Sequence, residues 1–365
     1  MTTTLNVLEF IDQELGFKLF PVQRFVLKLF YGIPLDNTCC DLRIRCNGWQ
    51  KAASQLTEVE YLEWLYDQGS CNVNVLTQSE GFQELVLCKG RRGGATQMGA
   101  MVMGYETYRL IKLENPQAHY GFPRPTTIQL ICVSTDKEAA GYIYQQNSEI
   151  TKYSPMLEAY RANCTQSYTR YQTPADIEGS GRFSDDPTAR ATIKVTFRSS
   201  IAKGLRGAGN SFIFMDEAAH FPDNGQSCAK EVYMALMPSL SAFTSKDPND
   251  ARIPVGPVES KIMIASSPLD REGFFFDAFL KGFGSPNNGR LSLQIPTWDM
   301  NPTIPMEEFQ RYYERNPETF NREFGAKFGK LSIEPPPMLK ILGPDGIEVR
   351  KNPMGGWIVV TGHIS

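Results

Sequence analysis

The sequence predicts an α/β domain with a mostly parallel central sheet, followed by a small helical subdomain. Five short β-rich runs carry the first part of that prediction: "ELVLC" (84–88), "TIQLICV" (127–133), "TIKVTF" (192–197), "SFIFM" (211–215) and "KIMIA" (261–265). Several are apolar throughout, as strands covered on both faces must be. Helical stretches such as "TQMGAMVMGYETYRLIKL" (96–113) lie between some of them, the alternation that parallel strands joined by crossover helices produce. A glycine-rich stretch opens directly after the first run, at the edge where sheets of this kind bind ligands.

With 365 residues, 41% hydrophobic and 21% charged, the chain reads as a soluble globular protein of one large domain with accessory pieces, or of two domains. A formal net charge of −3 excludes a blanket polycation, so any nucleic-acid contact is expected from a local patch. No apolar run approaches the roughly 20 residues of a spanning helix. Glu9, Asp12 and Glu14 stand where an export signal needs a basic end and an unbroken apolar stretch. Neither a membrane partner nor export is expected. Eight cysteines lack paired C-x-x-C spacing and read as reduced packing residues. His119, His220 and His363 are too far apart in sequence to suggest a histidine metal site.

Taken in order, "FPVQRFVLKLFYGIPL" (20–35) predicts a short amphipathic helix, begun by Pro21 and stopped by Gly32, with Phe25, Leu27, Leu29 and Phe30 apolar. In "TEVEYLEWLYDQG" (57–69), Thr57 and Glu60 have capping-box spacing, and a second helix should run to Gly69. After the five β-rich runs, "MEEFQRYYERNPETFNREFGAKFG" (306–329) places Phe320, Phe324 and Phe328 on one helical stripe, interrupted upstream by Asn316-Pro317. This is the expected helical subdomain, a lid over about 285–330. "SIEPPPMLKILGPDG" (332–346) reads as a linker, and "GWIVVTGHIS" (356–365) as one more strand. The expected division is therefore 1–330 as one domain and 331–365 as linker and strand.

The stretch "CKGRRGGATQMGA" (88–100) is a phosphate-loop pattern with one residue out of place. In G-x-x-x-x-G-K-[ST] the glycines let backbone N–H groups cradle phosphates, the lysine reaches the outer phosphates and the hydroxyl holds Mg²⁺. Gly94 and Thr96 fit that frame, Ala95 occupies the lysine position, and Lys89 stands at the first position of the frame. Further on, "SFIFMDEAAHF" leads an apolar strand into Asp216-Glu217. Such a pair serves ATP hydrolysis, one carboxylate toward Mg²⁺ and the next toward the attacking water, although Asp216 alone could simply cap the following turn. "KIMIASSPLD" ends the next strand with Ser266, Ser267 and Pro268, hydroxyls placed to sense a γ-phosphate or a plain serine turn before proline. The order of loop, acidic strand end and hydroxyl strand end gives the three their joint meaning.

In that combination the chain resembles the large terminase subunits of tailed bacteriophages, the ATP-driven motors that package viral DNA. "GRRGGATQMGA" is similar to the family's G-R-R-x-G-K-T loop, "FIFMDEAAHF" to its acidic strand with catalytic glutamate, and "IMIASSP" to its coupling motif. Phe20, Pro21 and Gln23 resemble its adenine-reading motif, "KGLRGAGNS" (203–211) also looks familial, and "IPTWDMNPTIPMEEF" resembles the segment that closes the ATPase domain. The resemblance covers roughly residues 15–330, each piece being short. It implies a P-loop ATPase of the ASCE/RecA-like kind, with ATP and Mg²⁺ as cofactors. Gly90, Arg91, Arg92, Gly93, Gly94, Ala95, Thr96 and Gln97 would embrace the phosphates, and Gln23 would read adenine. Thr96 and Asp216 would hold the metal, Glu217 would activate water, and Ser266 and Ser267 would report the γ-phosphate. Arg206 would act on a neighbouring subunit's nucleotide. Implied partners are double-stranded DNA, the procapsid portal protein, a small terminase subunit and other copies in a ring, a pentamer on the portal. The implied location is the host cell cytoplasm.

Two departures follow from the resemblance. Some members carry a deviant loop with its lysine at the beginning, which makes Lys89 a replacement for the charge missing at Ala95. Alternatively Ala95 marks an inactivated loop beside which Lys89 is only an exposed neighbour, and the close match of the remaining loop favours that alternative. Full-length members also carry a nuclease of RNase H-like fold, whose first strand "GWIVVTGHIS" resembles; this chain is expected not to cut DNA. Tyrosines interleaved with Lys152, Arg161 and Arg170 in 142–172 read as an amphipathic surface helix with a tyrosine-rich loop more readily than as a nucleic-acid grip. Two further functions stay open. A helicase-like translocase shares the early motifs, but too little chain follows Pro268 for its second nucleotide-binding domain; a non-hydrolysing nucleotide-binding assembly protein is the other.

Overall fold

The computed structural model describes residues 4–37, 56–77, 81–183, 185–186, 188–200, 209–222, 225, 227–284, 289–329, 341–342, 348–351 and 357–360. After a short helical segment at residues 7–14, helices α1 (Pro21–Tyr31) and α2 (Glu58–Asp67) precede the sheet. Next come β1 (Glu84–Lys89), α3 (Ala95–Lys112), β2 (Ile128–Ser134), α4 (Lys137–Ile150) and the hairpin of β3 (Arg161–Cys164) and β4 (Tyr168–Tyr171). They are followed by β5 (Ile193–Ser199), β6 (Gly209–Asp216), α5 (Ala229–Leu240), a second hairpin of β7 (Thr244–Asp247) and β8 (Asp250–Val258), β9 (Lys261–Ser266), α6 (Gly273–Phe283) and β10 (Arg290–Ile295). The lid helices are α7 (Met306–Arg315) and α8 (Pro317–Glu323). Three short strands, β11 (Ile341–Leu342), β12 (Glu348–Lys351) and β13 (Trp357–Val360), pair antiparallel in a sheet of their own.

Local chemistry sets the helix ends. Pro21 opens α1, and Gly32 closes it at φ 68°, a left-handed position that glycine adopts without Cβ strain. At α2, Glu60 N–H donates to the Thr57 hydroxyl at 3.1 Å while Thr57 N–H donates to the Glu60 carboxylate at 2.8 Å, the reciprocal cap its spacing predicts.

The main sheet has eight strands in the order β10-β1-β9-β6-β2-β5-β4-β3. The first six run parallel, and β4 and β3 complete one end antiparallel. Both faces are covered. Leu85, Leu130 and Phe214 pack with α1, α3 and α4 on one side, whereas their neighbours Val86, Ile131 and Ile213 pack with Val232 of α5 and Phe275 of α6 on the other. Alternate side chains of one strand thus enter different apolar layers, which is why the runs read as continuously hydrophobic. Insertion of β9 between the loop strand β1 and the acidic strand β6 is the arrangement of an ASCE/RecA-like P-loop ATPase.

The structure departs from the sequence reading in three places. The tyrosine-rich stretch after α4 is an antiparallel hairpin that extends the sheet. Within the expected lid, residues 290–295 form β10 alongside β1, so the helical subdomain begins after that strand. The phenylalanine stripe divides: Phe320 and Phe324 join Trp298 and Phe309 in the lid core, but α8 ends at Glu323, and Phe328 packs instead against Phe276 and Phe279 of α6. Gly325 and a left-handed Ala326 (φ 56°) lie in the intervening turn. Most of the expected linker lies outside the described residues.

Candidate active site

Register brings the three sequence motifs to one edge. Cys88 of β1 pairs with Ser266 of β9, and Ala265 of β9 pairs with Asp216 of β6. Lys89 and Glu217 therefore flank the end of β9 from either side. The Lys89 ammonium meets Glu217 Oε1 at 2.6 Å. Lys89 is 5% exposed, buried rather than an exposed neighbour of the loop. As the last residue of a central strand its stem is enclosed, and only its tip reaches the edge.

Between β1 and α3 the loop is held by its own carbonyls. The Thr297 hydroxyl donates to Arg91 O at 2.7 Å, Asn301 Nδ2 to Arg92 O at 3.0 Å and Gln23 Nε2 to Gly93 O at 2.9 Å. Arg91 N–H donates to Glu323 O at 2.6 Å, and the Arg91 guanidinium pairs with the Glu323 carboxylate. With carbonyls tied outward, Arg92 at φ 67° and Gly94 at φ 79° turn the chain into α3. Gly94 offers no side-chain cap, so the first N–H groups of an 18-residue helix have no side-chain acceptor and form an anion-binding end. Gly90 is required by contact: a Cβ there would sit 2.7 Å from Thr297 N and collide with the Thr297 hydroxyl and Phe324 O. Ala95 is buried at the first position of α3 and brings no charge.

At the other side of the edge, the Thr96 hydroxyl donates to Asp216 Oδ2 at 2.8 Å. Asp216 is buried, and its Oδ1 has no hydrogen-bond partner. Burial, only partly opposed by Lys89, raises its carboxyl to about 6. Glu217 adopts φ 54°, a strained left-handed position for a non-glycine residue. Its Oε2 accepts from the Ser266 hydroxyl and Ser267 N–H, both at 3.2 Å. Burial acts to raise the Glu217 carboxyl, but the Lys89 charge and these donors hold it below the usual range. The carboxylate form is thus the one the site favours.

Ala95 and Gln97 open α3 on the loop side, and Ser266 and Ser267 contact Glu217 as described. Gln23 is buried; it supports the loop with one amide N–H and accepts from Phe20 N–H at 3.2 Å through its oxygen. Arg206 lies outside the described residues. Sequence reasoning missed Thr297, Asn301 and Glu323, whose signal was only their membership of the segment after β10. It also missed His220, whose Nε2 is 3.0 Å from the Ser267 hydroxyl, and Ser134, which donates to Asp216 O at 3.3 Å.

A loop strand, an inserted strand and an acidic strand converging on a helix N-terminus define a P-loop nucleotide-binding ATPase fold. Residues 72–325 match the family described as "Uncharacterized protein MJ0330, N-terminal P-loop domain", and the chain belongs to that family. Among solved structures, the HK97 bacteriophage large terminase has a TM-score of 0.51 at 12% identity, over 99% of this chain and 67% of that chain, a likeness of fold. The Thermus phage P74-26 large terminase ATPase domain has a TM-score of 0.47 at 18% identity, covering 70% of this chain and 92% of that one. A large terminase from a thermophilic bacteriophage, in complex with ADP, has a TM-score of 0.41 at 12% identity, over 81% and 54%. No curated protein matches the chain. Among the described residues, no helix is long and apolar enough to cross a membrane.

Proposed function

We propose that the chain is the ATP-hydrolysing motor portion of a DNA-packaging terminase large subunit. The observation that carries this reading is the meeting of Lys89, Thr96, Asp216 and Glu217 at the edge onto which the N-terminus of α3 opens. In this reading the free N–H groups of residues 95–97 and the Gly90–Gly94 turn receive the ATP phosphates, with Arg91 and Arg92 at the rim. A buried carboxylate with one oxygen on a threonine hydroxyl and the other unpartnered fits a hard divalent cation, so Thr96 and Asp216 are the residues that would hold Mg²⁺. Such an ion supplies neutralising charge to the phosphates.

Glu217 takes a proton from the attacking water as the water oxygen bonds to the γ-phosphorus; the bond to the β,γ-bridging oxygen breaks and ADP leaves. Lys89 supplies the positive charge that Ala95 lacks, exchanging Glu217 for phosphate oxygens when ATP enters. That exchange releases one oxygen of the base. Ser266 and Ser267, already bonded to Glu217, pass the change on toward β9. Gln23 keeps one amide N–H for the adenine edge while supporting the loop. Arg206 as a trans-acting residue, double-stranded DNA as the track, a portal protein, a small terminase subunit, a pentameric ring and the host cytoplasm belong to the same proposal. So does the division into a motor unit of 1–330 and a following segment of 331–365. The second reading, a nucleotide-binding protein without turnover, is favoured by the uncharged Ala95 at the start of α3.

Mg²⁺-dependent binding of a fluorescent ATP analogue tests the assignment. Asp216→Asn should lose the metal dependence while keeping the fold, and Thr96→Val should weaken it. Metal dependence unchanged in both variants would refute the site.

A further inference from the structure

At the β4 end of the sheet, one face is apolar and the other basic. Ile193, Val195 and Phe197 of β5, with Tyr171 of β4, enter the core layer that α4 covers. The two-residue period of a strand sends Lys194 and Arg198 of β5, and Tyr168 and Arg170 of β4, to the opposite face. Antiparallel register sets Arg170 beside Lys194 and Tyr168 beside Thr196. Both cations lie over the Tyr168 ring, Lys194 Nζ 5.1 Å and the Arg170 guanidinium carbon 5.7 Å from its centroid. Both arginines are anchored, Arg170 donating to Ala191 O and Arg198 to Phe197 O, each at 2.9 Å.

Some partly buried cations elsewhere face carboxylates, Lys28 meeting Glu58, Arg161 meeting Glu158 and Arg290 meeting Glu84, whereas Lys261 donates to the Phe30 and Phe82 carbonyls. Among the described residues, none of Arg170, Lys194 and Arg198 has an acidic partner. Burial, and then the neighbouring Arg198 and Arg170 charges, hold the Lys194 ammonium below its usual range. Three like charges fixed on one face, with an aromatic ring among them, call for an anion from outside. Lys194 and Arg198 are four residues apart on one strand, a span of about 13 Å, enough for several successive phosphates of one nucleic-acid strand. Arg198 pairs across to Val133 of β2, next to the Ser134 that bonds the Asp216 carbonyl, so the patch is one strand pair from the active edge.

We infer that this face of β4 and β5 is a site for the phosphodiester backbone of duplex DNA, held by Arg170, Lys194 and Arg198 with Tyr168 alongside, an inference that rests on the DNA-motor reading above. Because the contacts go to phosphate, binding is sequence-independent and salt-sensitive.

The test is fluorescence anisotropy of a labelled short duplex across a salt series, with DNA-free ATP hydrolysis and thermal unfolding measured on the same proteins. Arg170→Ala/Lys194→Ala/Arg198→Ala should bind at least about tenfold more weakly, and lower the log–log salt slope by about 2 to 3, the loss of three phosphate contacts. Arg170→Lys/Arg198→Lys keeps the charge and should retain most of the affinity. The single variant Lys194→Gln, the least disruptive to the fold, should lower the slope by about one. DNA-free hydrolysis should be unchanged. Binding that the triple variant and Lys194→Gln retain, with an unchanged slope, overturns this inference alone. No binding by the unmodified chain overturns it together with the DNA-motor reading.

Discussion

Replacing Lys89 by methionine separates the folding role of the 2.6 Å pair with Glu217 from its chemical role. Methionine keeps the length of the enclosed stem and removes only the charge. Glu217 keeps its donors from Ser266 and Ser267, and its side chain is 33% exposed, so water compensates part of the loss. The folding cost is therefore about 1–2 kcal/mol, below the roughly 3–5 of a fully buried broken pair. That is small enough for the variant to stay folded at 25 °C. Turnover should fall far more, by about 10²–10³, the effect of deleting one preorganised charge from a phosphoryl-transfer site. Steady-state phosphate release at saturating ATP reads the second effect, and a thermal melt reads the first. Adding Ala95→Lys to Lys89→Met should restore part of the activity, because the charge then returns from the other end of the loop. Turnover within twofold of the unmodified chain in Lys89→Met would refute the reasoning that this lysine replaces the missing one.

Gly90→Ala should abolish ATP binding and destabilise the fold measurably, because the new methyl meets the backbone of Thr297 and Phe324 as well as the Thr297 hydroxyl, so a side-chain shift alone cannot relieve it; a calorimetric titration and a melt check both. Lys261 gives a pH prediction. Its ammonium is buried, donating to Phe82 O at 2.6 Å, and burial lowers it from 10.5 to about 8. The unfolded chain therefore binds more protons between those values, so the penalty is full below about pH 8 and stability rises as pH increases toward 10.5, by about 3 kcal/mol in total. Tyr31, raised by burial above 10.0, opposes the rise beyond that point. Urea unfolding between those limits should show the increase, and Lys261→Met should remove it; an equal slope in both proteins would contradict the burial argument.

Much of the architecture was legible because the parallel strands are covered on both faces and therefore write themselves as apolar runs. Capping chemistry at Thr57 and Glu60, and the Pro21 to Gly32 frame, located two helices for local reasons. The β3–β4 hairpin was not legible: its strands hold four residues each, half of them tyrosine or arginine, and the pairing of β4 with β5 is a tertiary fact. β10 went unread although Arg290–Ile295 alternates polar and apolar residues, because the run is short, follows a glycine and asparagine stretch and fell within the expected lid; its place beside β1 makes it a strand. In the site, the motif residues announced themselves by type and order. Their supports did not, since Thr297 and Asn301 reach the loop across more than two hundred residues of sequence. The position of Lys89 was the sharpest case. The sequence admitted a replacement lysine or an exposed bystander; the structure shows Lys89 buried and paired with Glu217, and turnover measurements distinguish the two roles.

The most direct test of the account is steady-state ATP hydrolysis by the unmodified chain, with and without duplex DNA, beside Ala95→Lys. The account predicts Mg²⁺-dependent turnover by the unmodified chain that DNA accelerates, and no requirement for a lysine at position 95. Turnover confined to Ala95→Lys, with nucleotide bound equally by both proteins, would contradict it and make this loop a silenced one.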